Sequence, residues 1–170
     1  MTSAARRGLP AMASPHPSDH LAPLAPVIGR WRSSGTVHDG TGAVTGRLAG
    51  SDTYRWLPGG AWIAHEVDVV VGDEHVVVHE VIGGRDAATG GWQMHAFDAS
   101  DSPGVMSLVP QEDGLLLLRG EGVRSWFDVR AGDGLMTTRW ERELSPGRWV
   151  TWMDMRFERV PDAGDPSLSS

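Results

Sequence analysis

Turn signals recur along this chain at short intervals, and they leave it little choice but to fold as many strands. Between about Pro17 and Val160, apolar runs of strand length fall at 30–37, 43–56, 60–71, 74–84, 91–98, 104–110, 114–120, 122–130, 134–144 and 148–159. Gly-Asp, Asp-Gly and Pro-Gly pairs, such as Gly72-Asp73, Asp133-Gly134 and Pro146-Gly147, lie between them and read as hairpin turns. About ten strands joined mostly by short turns predict an antiparallel up-and-down meander that closes into a barrel, because closure removes the exposed edges. No long helical period lies between the strands, which argues against a parallel α/β sheet. Ahead of them, HLAPLAPVIG predicts a short helical turn, capped by Ser18 or Asp19 and kept short by Pro23 and Pro26. The expectation is therefore all-β, a single barrel domain over 17–160. A disordered leader is expected over 1–16 and a disordered polar tail over 161–170, and Met12 is an alternative start to Met1.

Composition narrows the chemistry. The chain has no cysteine, so disulfides, thiolate metal sites and cysteine nucleophiles are excluded. All 15 basic residues are arginine, so no lysine is available to form a Schiff base. A formal charge of −7 argues against a nucleic-acid partner, which needs a basic face. No apolar stretch reaches the ~18–20 residues that span a bilayer, and the start MTSAARRGLPAMAS lacks the apolar core of a signal peptide. Those two features predict a cytoplasmic protein without membrane insertion.

Hairpin register turns the strand list into a map of faces, since directly opposed residues share a face. A two-residue turn at Gly72-Asp73 opposes Val69 to Val76, Val67 to Val78, His65 to Glu80 and Ile63 to Ile82. That face is the more apolar and is assigned to the interior, with His65 and Glu80 as its one polar pair. The turn at Pro146-Gly147 places Trp149 with Leu144, Met153 with Trp140, Met155 with Thr138, and Phe157 with Met136 on one face. Arg139 with Asp154 and Thr137 with Arg156 fall on the other, along with Trp152. Across Asp133-Gly134, Thr138 and Trp140 bring Val129 and Phe127 inside, with Ser125 beyond them, while Asp128 lands beside Arg139 outside.

The segments LAPLAPVIGRW, YRWLPGGAWIAHE, HEVIGGRDAATGGWQMHAFDASDSPG and WERELSPGRWVTWMDMRFERV carry a family likeness. A short turn followed by Gly29-x-Trp31 resembles the opening of lipocalin-like barrels, in which the tryptophan closes one end. The run from Leu21 to Val160 is similar to a bacterial family of lipocalin-like (calycin-like) domains without assigned function, related in fold to nitrobindin. The resemblance implies a calycin-type β-barrel with an interior for a small molecule. Nitrobindin-type relatives bind heme through a histidine late in the chain. No histidine follows His95 here, and Met153 or Met155 would be poor substitutes, so no axial ligand is evident and no cofactor is expected.

His65 and Glu80 are the sharpest site candidates. A carboxylate beside an imidazole raises its pKa and fixes its tautomer, which suits a general base or a polar ligand anchor. A cross-strand ion pair inside the barrel would account for them equally. His95 joins them if the DAATG loop sets its register opposite Glu80. Three such residues could hold Zn²⁺ or Fe²⁺, but their spacing is not a recognised metal motif and no metal is expected. Ile63, Val67, Val78, His95, Phe127, Met136, Trp140, Met153, Met155 and Phe157 are the expected ligand-binding set. Polarizable methionine and rigid tryptophan suit apolar ligands, although a solid core would use the same residues. His75 and His79 read as surface residues. Arg142 falls on the inner face near a hairpin end, a rim position or a contact for an anionic head group. Trp126 and Trp152, on the outer face, mark a homodimer contact, a cavity mouth or a different register at that point. The leading expectation is a carrier of a small, mainly hydrophobic molecule. The alternatives are a cofactor-free cyclase or isomerase in which His65, tuned by Glu80, moves a proton, and a nitrobindin-like heme protein.

Overall fold

A computed structural model describes residues 18–130 and 134–161. The leader, most of the tail and both candidate start methionines lie outside the described residues. Ten antiparallel strands follow a short 3₁₀ segment, Asp19–Val27: β1 (Gly29–His38), β2 (Val44–Trp56), β3 (Trp62–Val71), β4 (Glu74–Arg85), β5 (Trp92–Phe97), β6 (Gly104–Pro110), β7 (Leu116–Gly120), β8 (Val123–Asp128), β9 (Leu135–Ser145) and β10 (Arg148–Val160). Each strand pairs with its neighbours in sequence, and β1 pairs with β10 to close the barrel. The fold is all-β and compatible with a calycin or lipocalin-like barrel. Among the described residues, no helix is long and apolar enough to cross a membrane.

The β3–β4 hairpin keeps the register that its turn dictates. Gly72 sits at φ +62°, a conformation that a side chain would strain, and Val71 pairs directly with Glu74. All the oppositions expected from that turn are present, including His65 with Glu80 and Val67 with Val78. In the β9–β10 hairpin, Met153 with Trp140, Met155 with Thr138 and Phe157 with Met136 also pair as expected.

Beyond them the register shifts at Trp152, between Thr151 and Met153, and again between Arg148 and Trp149. Trp149 pairs with Glu143 instead of Leu144 and stacks on the outward Arg124, whereas Trp152 turns onto the interior wall. The two tryptophans thus exchange the faces expected of them, because one extra residue in a bulge inverts the alternation. Between β8 and β9 the pairing is Thr138 with Phe127 and Trp140 with Ser125, two residues away from the expected one. A two-residue shift preserves faces, so Phe127 and Ser125 still point inward while Trp126 takes the place of Asp128 beside Arg139.

One end of the barrel is plugged by the 3₁₀ segment. Its three-residue turn puts Leu21, Leu24 and Val27 on one face, all buried, while Pro23 and Pro26 share an exposed edge. Burying each such side chain stabilises by about 1.5–3 kcal/mol. Ser18, expected as a cap, donates instead to the Gly60 carbonyl and tethers the segment to the β2–β3 connection. Trp31, fully buried, donates from Nε1 to the Val27 carbonyl at 2.7 Å. Arg159 lies over the Trp31 ring at 4.1 Å and donates to the carbonyls of Pro26 and Ile28. Trp92 adds a fourth tie, from Nε1 to the His20 carbonyl. The opposite end, bounded by the β1–β2, β3–β4, β5–β6, β7–β8 and β9–β10 turns, carries no such plug among the described residues.

Candidate functional site

Between plug and mouth lies a cavity of about 530 Å³. Leu24 and Val27 of the plug form part of its floor, and Val37, Val71 and Glu74 stand near its mouth. Of the side chains expected to meet a ligand, Val67 and Val78 line it from β3 and β4. Phe127, Trp140, Met153, Met155 and Phe157 line the facing wall. Ile63 and Met136 point inward as the register requires but are sealed within the apolar core around the plug, away from the cavity surface. They are packing residues because β3 and β9 reach the plugged end at those positions.

His95 corrects the expectation most clearly. Glu80 pairs with Ala96, and His95 opposes Val81 on the outer face, beside Trp62 and Phe97. A register shift between Gly83 and Arg85 moves β5 by the one residue that the loop left open. His65, Glu80 and His95 therefore do not converge. Among the described residues, no group of three His, Asp or Glu side chains is arranged to hold a metal ion.

His65 meets two carboxylates. Its Nδ1–H donates to Glu80 Oε2 at 2.5 Å and its Nε2–H to Asp52 Oδ1 at 2.7 Å. The other Asp52 oxygen accepts from Ser33, and Tyr54 stacks flat on the imidazole with ring centroids 3.7 Å apart. All five groups are placed by strand alternation. Asp52 and Tyr54 follow Leu48 and Gly50 on the inner face of β2, Ser33 comes from β1, and His65 and Glu80 come from β3 and β4. Gly50 allows this wall to curve, since a Cβ there would lie 2.1 Å from the Asp68 carbonyl oxygen.

Sequence reasoning missed Asp52 and Tyr54. The connection from Leu57 to Ala61 is too long to fix a register, so the parity of β2 was open. The available signal was the alternation of Asp52, Tyr54 and Trp56 against Thr53 and Arg55.

Burial alone would depress the His65 pKa, but the adjacent Glu80 charge, the hydrogen bonds to Asp52 and Glu80, and the Asp52 charge raise it to about 9. The imidazole is held as a cation with both nitrogens engaged. A proton-transfer role would first require it to release one of its carboxylates. For the same reason His65 offers no free nitrogen to a ligand in the lumen, and His95 lies on the outer face. Burial, with the Asp52 and Glu80 charges, also holds the Tyr54 phenol well above its usual range, so it stays neutral.

A pH dependence follows. The folded-state pKa of His65 lies above the value of 6.5 expected when unfolded. Its stabilisation is therefore full below about pH 6.5, declines as pH rises, and is gone above about 9. It is on the order of 3 kcal/mol. Urea midpoints at pH 6, 8 and 9.5 should fall across this window, with a smaller fall in His65→Gln.

Elsewhere the polar groups are less pointed. Ser125 and Thr138 share a buried hydroxyl–hydroxyl hydrogen bond on the wall opposite the cluster. His75 pairs with Asp68 and His79 approaches Glu66, both on the exposed face, and Arg139 pairs there with Asp154. Arg142 opposes Val123 and Val150 toward the mouth, half-buried, with Nε sealed and without a partner among the described residues. It is not part of the cavity wall. No family model matches this chain and no curated protein matches it significantly, so the reading of the site rests on its geometry.

Proposed function

We propose that the barrel binds and carries a small, mainly apolar molecule in its lumen. The observation that carries this reading is the cavity itself: about 530 Å³, walled by aliphatic, methionine and aromatic side chains, with Asp52, Tyr54, His65 and Glu80 in one polar cluster, Glu74 and Asp98 near the mouth and Thr138 on the opposite wall. Sites for small molecules typically enclose about 300–1,000 Å³ and combine apolar walls with a few placed polar groups. The apolar wall would supply affinity, and methionines at 94, 106, 153 and 155 would adapt to the ligand's shape. The charged cluster would orient one polar group. The engagement of both His65 nitrogens favours carriage over catalysis by that residue.

Native mass spectrometry of protein purified from its own host tests the proposal. A single small-molecule adduct per chain is expected, released when the protein is denatured. A bare chain that also stays bare after incubation with the host's lipid extract would count against carriage.

A further inference from the structure

We propose that the lumen selects cationic amphiphiles: molecules with an apolar body and one ammonium group, seated with the ammonium against Glu80 and Tyr54. The inference rests on the lumen reading above and adds the charge of the ligand. Among the described residues, four carboxylates border the cavity, those of Asp52, Glu74, Glu80 and Asp98, and His65 is the one basic side chain on its wall. Two carboxylates clamp that imidazolium, so the deep cluster keeps a formal charge of −1.

The cluster is not saturated, and the groups left over face the cavity. Asp52 is satisfied, since its two oxygens accept from His65 and Ser33. Glu80 accepts from His65 through Oε2, and its Oε1 has no donor among the described residues. Tyr54 is only 5% exposed, yet its hydroxyl has no partner among the described residues. Neither atom is sealed from the lumen, and both side chains form part of the cavity wall. An open carboxylate oxygen and an unpartnered phenol, held on either side of His65 in a largely apolar chamber, call for a donor. A ligand hydroxyl would meet the hydrogen bond, but an ammonium would also cancel the uncompensated charge. A carboxylate would instead add a like charge where, among the described residues of the wall, no free cation faces it.

The approach to the cluster has the same sign. Glu74, Val76, Val78 and Glu80 alternate onto the inner face of β4, an apolar stripe about 20 Å long with a carboxylate at each end. Asp98 stands near the mouth at the end of β5. Arg142, toward the mouth on β9, is not part of the cavity wall, so carboxylates set the sign of the path and favour cations over anions.

Displacement of the neutral probe N-phenyl-1-naphthylamine at pH 7 by decylamine, decanol and decanoate tests the inference. Decylamine should bind at least about tenfold more tightly than decanoate, with decanol between them. Glu80→Gln should bring decylamine down to the affinity of decanol. Equal affinities, tighter decanoate, or an unchanged amine preference in folded Glu80→Gln would overturn the charge assignment. The wild-type order decides alone if that variant does not fold. If the probe and all three competitors fail to bind, the lumen reading falls, and the charge assignment with it. If probe and decanol bind without an amine preference, the charge assignment falls alone.

Discussion

Replacing His65 by alanine is expected to cost about 3–5 kcal/mol of folding stability at pH 7, the range for breaking a buried ion pair from one side. Among the described residues the imidazolium is the only cation between Asp52 and Glu80, and both carboxylates come from strands that the barrel holds in place. Without it, two like charges face each other across the space it leaves. Either one must take up a proton or water must enter from the lumen to solvate them. The loss should therefore shrink in acid, where the carboxylates protonate. It should also be partly reversed in the background Asp52→Asn with Glu80→Gln, which removes both charges. Urea denaturation of these variants checks the chain of causes. A cost under about 1 kcal/mol at pH 7 would mean that the cluster is hydrated and loosely held.

The second large effect is expected at the opposite structural pole, the plug. Trp31→Ala should cost about 3–5 kcal/mol, since it removes a fully buried indole. It also deletes the hydrogen bond to the Val27 carbonyl and the surface on which Arg159 rests. Trp31→Phe retains most of the volume and should cost only about 1–2 kcal/mol through the lost hydrogen bond. Arg159→Gln would separate the two functions of that corner. It keeps the indole in place but removes donors to the carbonyls of Pro26 and Ile28. Thermal unfolding measures all three. Equal melting temperatures for Trp31→Ala and the wild type would show that the 3₁₀ segment is not fastened through this residue.

How much of this was legible in the sequence depends on turn length. The two-residue turn at Gly72-Asp73 allows one register, so the turn alone opposes His65 to Glu80. The five residues from Leu57 to Ala61 allow more than one, and Asp52, half of the clamp on His65, stayed hidden behind them. The Asp86–Gly91 loop, with the register shift at Gly83, carried His95 to the outer face by one step of parity. Between β8 and β9 the error was two residues, and faces survived it. At Trp152 a bulge changed parity within a strand, which no turn rule can announce. Ile63 and Met136 show a different limit. Alternation says which way a side chain points, but only the position of the plug decides whether it meets a cavity or a packed core.

A hollow barrel makes a demand that a solid one cannot meet: a large side chain added to its wall should be tolerated and should block binding. Val78 is the place to test it, on the cavity wall between Val76 and Glu80. Titration of wild type with N-phenyl-1-naphthylamine should show saturable fluorescence enhancement at one probe per chain. Val78→Trp should fold with stability within about 1 kcal/mol of wild type, yet bind the probe at least about tenfold more weakly. The contradicting result is a wild type that binds no probe, together with a Val78→Trp destabilised by the ~1–3 kcal/mol that overpacking costs a filled core.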